Sequence, residues 1–315
     1  MEFFTSLLNS MPGAVAQGLI WGIMAIGVYI TYRVLDIADL TVDGSLGTGG
    51  AVCVVLVLNG VPVGFALLAA TLAGMLAGMV TGLFHTACGI PAILSGILTQ
   101  LALYSINLRI MGTGTGGGKA NLPISVDKYN LLISARYVRE TALNNPLLTL
   151  VIFCVIVIAV LYWFFGTELG CSLRATGANQ NMARAQGINT SFAKVLGLMI
   201  SNGLVALSGG LLAQYQGFSD INMGRGAIVI GLAAVIIGEV IFSKIFRNFA
   251  LKLTAAVIGA IIYYMVMTFV LRLGLSTDDL KLLTALVVAI FLTVPYWKGR
   301  YFTKPSVKKG GKTNA

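Results

Sequence analysis

Nine apolar runs, residues 12–32, 44–60, 62–84, 90–111, 146–166, 194–214, 226–242, 249–271 and 280–297, follow one another along this 315-residue chain. A hydrocarbon layer about 30 Å thick is crossed by about 20 apolar residues in a helix. Only helices and closed barrels satisfy their own backbone polar groups there. Runs of this length predict an all-α polytopic membrane protein. Two of them, 44–60 and 226–242, are short and rich in glycine, the mark of broken or re-entrant helices, so about eight to ten transmembrane helices are expected. Composition agrees, with 57% hydrophobic and 10% charged residues and a mean hydropathy of +0.90; soluble domains carry roughly 25% charged residues. The expected organisation is a single transmembrane domain over 1–297, with hydrophilic segments at 112–145 and 167–193, and a basic tail at 298–315.

The formal net charge of +10 has a membrane explanation, because Lys and Arg concentrate in cytoplasmic loops. Placing 167–193 and the tail inside puts thirteen basic residues there, against four in short outer segments. The N-terminus then faces out, the C-terminus faces the cytoplasm, and 112–145 is extracytoplasmic. The opening MEFFTSLLNSMPG lacks a basic stretch and does not read as a cleavable signal peptide. Cys53, Cys88, Cys154 and Cys171 show no CxxC spacing, and three of them lie in apolar runs as packing residues. His85 is the single histidine, so no metal site is expected.

Gly74, Gly78 and Gly82 recur every four residues, as do Gly18 and Gly22, a spacing that lets helix backbones approach closely in lipid. There is also an internal echo. LDIADLTVDGSLGTGGAV (35–52) follows run 12–32, and FSDINMGRGAIVIGLAAV (218–235) follows run 194–214. Both place Asp-Ile ahead of a glycine-rich half-helix, and the two units enter from opposite sides. An inverted repeat is one reading; a chance likeness is the other.

GTGTGGGKA (112–120) satisfies GxGxxG, but a phosphate loop needs a preceding strand and a following helix, and Ala120 stands where Walker A needs Ser or Thr. It reads as a flexible turn. Asp36, Asp39 and Asp43, spaced to share one helical face, either line a pathway or lie at the cytoplasmic mouth with Asp43 capping a helix that starts at Gly44. Thr41 and Ser45 supply hydrogen bonds in either case. Asn202 and Asn222 join the candidate pathway set, while Ser208 and Gln214 are pore lining or interhelical glue. Glu239 is expected to pair near Lys244 and Arg247 or to meet a cytoplasmic partner. No Ser/His/Asp set or paired carboxylates occur, so no catalytic residue is assigned.

The polar island 167–193 is too long for a turn. Leu173 to Gln186 suit a short helix, with Ala175, Ala178, Ala183 and Ala185 favouring helix and keeping its surface low. Gly177 and Gly187 permit close contact or a bend. Arg174 and Arg184 offer charge to a docking groove.

SLRATGANQNMARAQGIN, followed by a helix ending SGGLLAQY, resembles the coupling segment of permeases in ABC importers, the family that includes branched-chain amino acid and ribose permeases. Arg174, Ala175, Gly177, Asn179, Ala183, Arg184, Gly187, Ile188 and Asn189 match its pattern. LDIADLTVDGSLGTGGAV resembles the family's N-terminal signature, and its Asp-Leu-Thr-Val-Asp-Gly wording is similar to that of a subfamily linked to amino-acid uptake, aromatic amino acids among them. The resemblance implies a permease subunit with no cofactor of its own, working as a homodimer or heterodimer. It implies separate ATPase subunits carrying ATP and Mg, and an extracytoplasmic binding protein that delivers a small polar solute, an amino acid first. A sugar or nucleoside permease and an ATP-independent secondary transporter remain alternatives. The acidic 35–43 run departs from branched-chain members and argues against borrowing their substrate.

Overall fold

The computed structural model describes residues 2–113, 117–125, 128–129, 131–137, 145–242, 246 and 248–272, together with 282, 284–286, 288–290 and 293. Most of run 280–297, the tail, Lys244 and Arg247 lie outside the described residues. In chain order the elements are α1 (Glu2–Tyr29, continued by a π-helical turn, Ile30–Val34), α2 (Val42–Leu58), α3 (Val63–Thr86), α4 (Ala92–Met111), β1 (Asn121–Pro123) and α5 (Pro146–Gly166). They continue with α6 (Glu168–Ala178), α7 (Gln180–Ala185), α8 (Thr190–Gln216), β2 (Phe218–Asp220), α9 (Ala227–Phe242) and α10 (Phe249–Arg272).

Six helices among the described residues are long and apolar enough to cross a membrane, namely Asn9–Val34, α3, α4, α5, α8 and α10. The chain is therefore a multi-pass membrane protein of all-α type. The two runs singled out as short are shorter helices here as well, with 17 residues in α2 and 16 in α9.

Helix α8 is the axis of the bundle, and glycines set its distances. Gly74, Gly78 and Gly82 of α3 face Asn202, Leu198 and Val195, so α3 runs antiparallel to α8. Gly49 of α2 lies on the Ala206 backbone and Gly209 of α8 on the Leu46 backbone, with no room for a Cβ at either. Gly18 and Gly22 of α1 meet Ile261 and Val257 of α10. Polar side chains add interhelical bonds: Ser201 donates to Gly27 O (2.8 Å) and Ser208 to Ile20 O (2.8 Å). Gln214 accepts from Leu132 N (3.3 Å) and donates to Cys53 Sγ (3.3 Å). Of the two roles open for Ser208 and Gln214, the bundle uses them as glue.

Helices α2 and α9 run in opposite directions. Ser45 and Cys53 of α2 meet Asn202 and Gly210, so α2 is parallel to α8. Gly231 of α9 lies beside Met24 and Val28, and Glu239 meets Arg33, so α9 is parallel to α1 and antiparallel to α8. Their N-termini meet. Asp43 accepts from Gly226 N (2.9 Å) and Ile228 N (3.0 Å), and Gly224 lies on the Asp43 carbonyl where a Cβ has no space. Both helices start at mid-depth: Gly44 packs on Gln100 and Leu103 near the middle of α4, and Gly231 on Met24 and Val28 of α1. Residues 35–41 and 217–226 are the non-helical segments that lead in from opposite ends. The second turns at Gly217 (φ 79°) and pairs antiparallel with β1, Asn121 opposite Asp220. The echo between 35–52 and 218–235 thus coincides with two geometrically opposed units.

Expected cap and observed cap differ. Helix α2 starts at Val42, and the Asp43 carboxylate serves α9, not its own helix. Nor do the three aspartates share a helical face, because 36–41 is not helical and Asp36 has φ 54°.

Two stability predictions follow from this packing. Gly49→Ala must push α2 off α8, an overpacking cost of about 1–3 kcal/mol, whereas Gly64, with open space at its Cβ, tolerates alanine. Thermal melting of the detergent-solubilised protein should separate the two. Asp43→Ala strips two acceptors from the α9 start and should cost about 1–2 kcal/mol, read by the same melt.

Candidate functional site

The structure gathers the sequence-marked residues into two regions. The first is a buried polar network where segment 35–41 enters the bundle. Asp39 accepts from Thr41 N (2.9 Å), which turns the chain into α2, and from Asn202 Nδ2 (2.7 Å) on α8. Asn202 Oδ1 in turn accepts from Ser45 (2.7 Å). The Thr41 hydroxyl shares a hydrogen bond with Thr81 of α3 (2.7 Å), and Thr81 donates to Thr99 of α4 (2.9 Å). Asp39, Thr41, Ser45, Asn202, Thr81 and Thr99 are all buried. Such a chain is costly unless every member is paired, and paired it holds one geometry. It ties the re-entrant segment to three helices at once.

The other pathway candidates lie elsewhere. Asp43 is half-buried and spends both oxygens on α9. Asp36 is exposed and lines a cavity of about 630 Å³ with His85, Thr176 and Lys194. Asn222 is exposed in the turn ahead of α9, its N–H donating to Asp220 (2.7 Å). Asp39, Thr41, Ser45 and Asn202 are thus brought together, whereas Asp36 and Asn222 stand apart. Thr81 and Thr99 join the network unannounced, since a threonine inside an apolar run carries no local sign of its partner.

The second region is the polar island. Thr167 caps α6, accepting from Gly170 N, so the island starts directly at the end of α5. The single helix expected over Leu173–Gln186 is broken at Asn179, whose extended backbone ends α6 and whose side chain caps α7 by accepting from Met182 N (3.0 Å). Asn189 likewise caps α8 through Phe192 N (3.1 Å). Three Asx or Thr caps in about twenty residues explain two short helices where alanine content suggested one.

The two flexible glycines have separate uses. Gly177 presses on Val34 O at the end of α1, where no Cβ fits; Gly187 (φ 82°) lies in open space and ends α7. Arg174 is turned back onto the bundle, donating to Phe165 O (2.9 Å) with its guanidinium over the Phe249 ring. Arg184 donates to Thr190 (3.0 Å). Ala175 and Ile188 are half-buried and Ala183 is buried. The outward surface offers apolar groups instead, with Leu169 and Met182 exposed.

Arg174 also borders a cavity of about 690 Å³ between α1, α6, α9 and α10, where Arg33 pairs with Glu239 (2.8 Å). Glu239 thus finds its cation on α1, more than two hundred residues away. At this exposure the pair contributes about 0–1 kcal/mol, so it orients more than it stabilises.

Comparison with known proteins accords with this arrangement. The family described as branched-chain amino acid transport system / permease component matches residues 11–294. The chain is 42% identical over 285 residues, 90% of its length and 91% of the other's, to a tyrosine transport system permease protein of Clostridioides difficile (strain R20291). It is 28% identical, over 76% of this chain and 63% of the other, to an autoinducer 2 import system permease protein of Yersinia pseudotuberculosis (serotype O:3, strain YPIII). Among solved structures, PsaBC from Streptococcus pneumoniae in complex with Fab shares the fold, with a TM-score of 0.55, 15% identity, and coverage of 95% of this chain and 98% of that one. The matched span takes in both the half-helix pair and the α6–α7 island. The chain belongs to the branched-chain amino acid transport system permease family.

Proposed function

We propose that this chain is the transmembrane permease subunit of an ABC importer, that a separate ATPase acts on it through α6–α7, and that its cargo is an amino acid. The observation that carries the reading is the position of the island. Two capped short helices present Leu169 and Met182 outward while Gly177 bears directly on Val34 of α1. A push on the outer face therefore reaches a membrane helix through a backbone contact with no compliant side chain between. The tyrosine transport relative supports an aromatic amino acid as the cargo class.

In this reading ATP and Mg belong to the partner ATPase and the chain catalyses nothing itself. A second permease subunit completes the pathway, and an extracytoplasmic binding protein supplies the solute. Charge supports an inward-facing island and C-terminus and an outward N-terminus, by the excess of basic residues on that side. Eight or more spans follow if α2, α9 and the 280–297 run are counted with the six long helices. A second reading, an ATP-independent transporter, draws on the opposed half-helices meeting at mid-depth, a pattern of secondary carriers.

Reconstituted vesicles decide between them. Uptake of radiolabelled tyrosine should require the ATPase subunit, the binding protein and ATP together; accumulation without nucleotide would favour the second reading. Within the importer, Gly177→Val should leave the ATPase bound but weaken coupling of its hydrolysis to substrate. The overpacking, about 1–3 kcal/mol, falls on the α6–α1 contact itself. Charge reversal at Arg174 and Arg184 should also break stimulation of hydrolysis, and hydrolysis that stays coupled in both variants would remove α6–α7 from the transmission path.

A further inference from the structure

Segment 221–226 is irregular backbone at the middle of the bundle's thickness, between β2 and α9. Its depth is set on two sides. Gly224 lies on the carbonyl of Asp43, whose neighbour Gly44 packs against Gln100 and Leu103 at mid-α4. Seven residues further on, Gly231 meets Met24 and Val28 of α1. Yet Asn222, Arg225 and Gly226 are exposed, as is Val229 one turn into α9. Non-helical backbone at such depth is tolerated only where protein covers it or water reaches it.

Arg225 sharpens the point. Arg225 N donates to Asn222 O (3.0 Å), but its guanidinium has no hydrogen bond or ion pair among the described residues. The acids nearby are already engaged. Asp43 accepts from two backbone N–H groups of α9, and Asp220 accepts from Asn222 N and from Asn121 Nδ2 (3.3 Å). A guanidinium cannot lose its charge, so at mid-membrane it faces an aqueous cavity or an anion that comes and goes.

We infer that the 222–226 turn, through its exposed Asn222, Arg225 and Gly226, lines the water-filled translocation pathway and that Arg225 is the residue that receives the cargo's carboxylate. A planar guanidinium with unused donors binds a carboxylate in bidentate fashion, which an ammonium cannot reproduce. Gly224 and Gly226, flanking Arg225, keep the surroundings free of side chains; Gly226, at φ 84°, has open space around it. Asp43 is taken up by the α9 start, and among the described residues Arg225 has no charged partner at this point. The inference rests on the importer reading for the nature of the cargo, but the aqueous exposure of the turn does not.

The test uses the complete complex in vesicles, in a background with the exposed Cys88 and Cys171 replaced by serine. Arg225→Cys should react with a membrane-impermeant anionic thiosulfonate, and the ATPase-trapped state should change the rate. Modification only by lipid-soluble reagents would overturn the proposal, as would crosslinking showing residue 225 shielded by a second copy throughout the cycle. Tyrosine uptake per ATP hydrolysed should fall by about tenfold or more in Arg225→Gln, in keeping with a lost charge-assisted bond, and recover in part in Arg225→Lys. A glutamine variant that transports as well as the unsubstituted complex removes Arg225 from recognition. Failure of the unsubstituted complex to need ATP would instead sink the importer reading, and the labelling result would still decide the position of the turn.

Discussion

A carboxylate on one half-helix holding the first turn of another is the contact on which the interior of this protein depends. Where a helix starts inside a membrane, its leading N–H groups have no preceding turn to bind and need another partner. Asp43 supplies that partner for α9 from α2, and Asp39 does the corresponding work for the turn into α2 through Thr41 N. Each acid is stabilised by the positive end of the backbone it serves. Because Asn202 and Ser45 complete the Asp39 set, the two half-helices, their lead-in segments and α8 form one polar assembly inside an apolar bundle.

What was legible in the chain was what local pattern encodes. Apolar run length gave the long helices, glycine content marked α2 and α9, and the spacing of Gly74, Gly78 and Gly82 marked the face that meets α8. The polar island was visible from its composition, and the acids before α2 from their cost in lipid. Partner identity was not legible, because it is long-range. Asp43 reads locally as the cap of the helix that holds it, and Arg174 reads as a free surface cation. Only the fold brings residues 226–228 to the first and the α5 and α10 ends to the second. The break at Asn179 has a nearer cause: alanine propensity is weak, and a side chain able to cap overrides it.

The bundle also shows spatial continuity from one end to its middle. Gly177 bears on Val34, Val34 closes the π-helical turn of α1, and Arg33 beside it binds Glu239 at the far end of α9. The start of α9 is the end that Asp43 holds. A single-turn π-helix is a frequent feature of functional segments, and here it lies where α6, α1 and α9 converge. Proximity of this kind describes a route along which rigid elements can move together; coupling energy along it is a separate quantity.

The Asp43 contact has a consequence for how the protein is made. Its partners, Gly226 and Ile228, stand more than 180 positions later in the chain. At a synthesis rate of about 5–20 residues per second, the ribosome delivers them roughly 10–40 s after the aspartate has emerged. For that interval Asp43 lacks the backbone partners it holds in the finished fold. The first half-helix can take its final place only once the second half of the chain has been delivered.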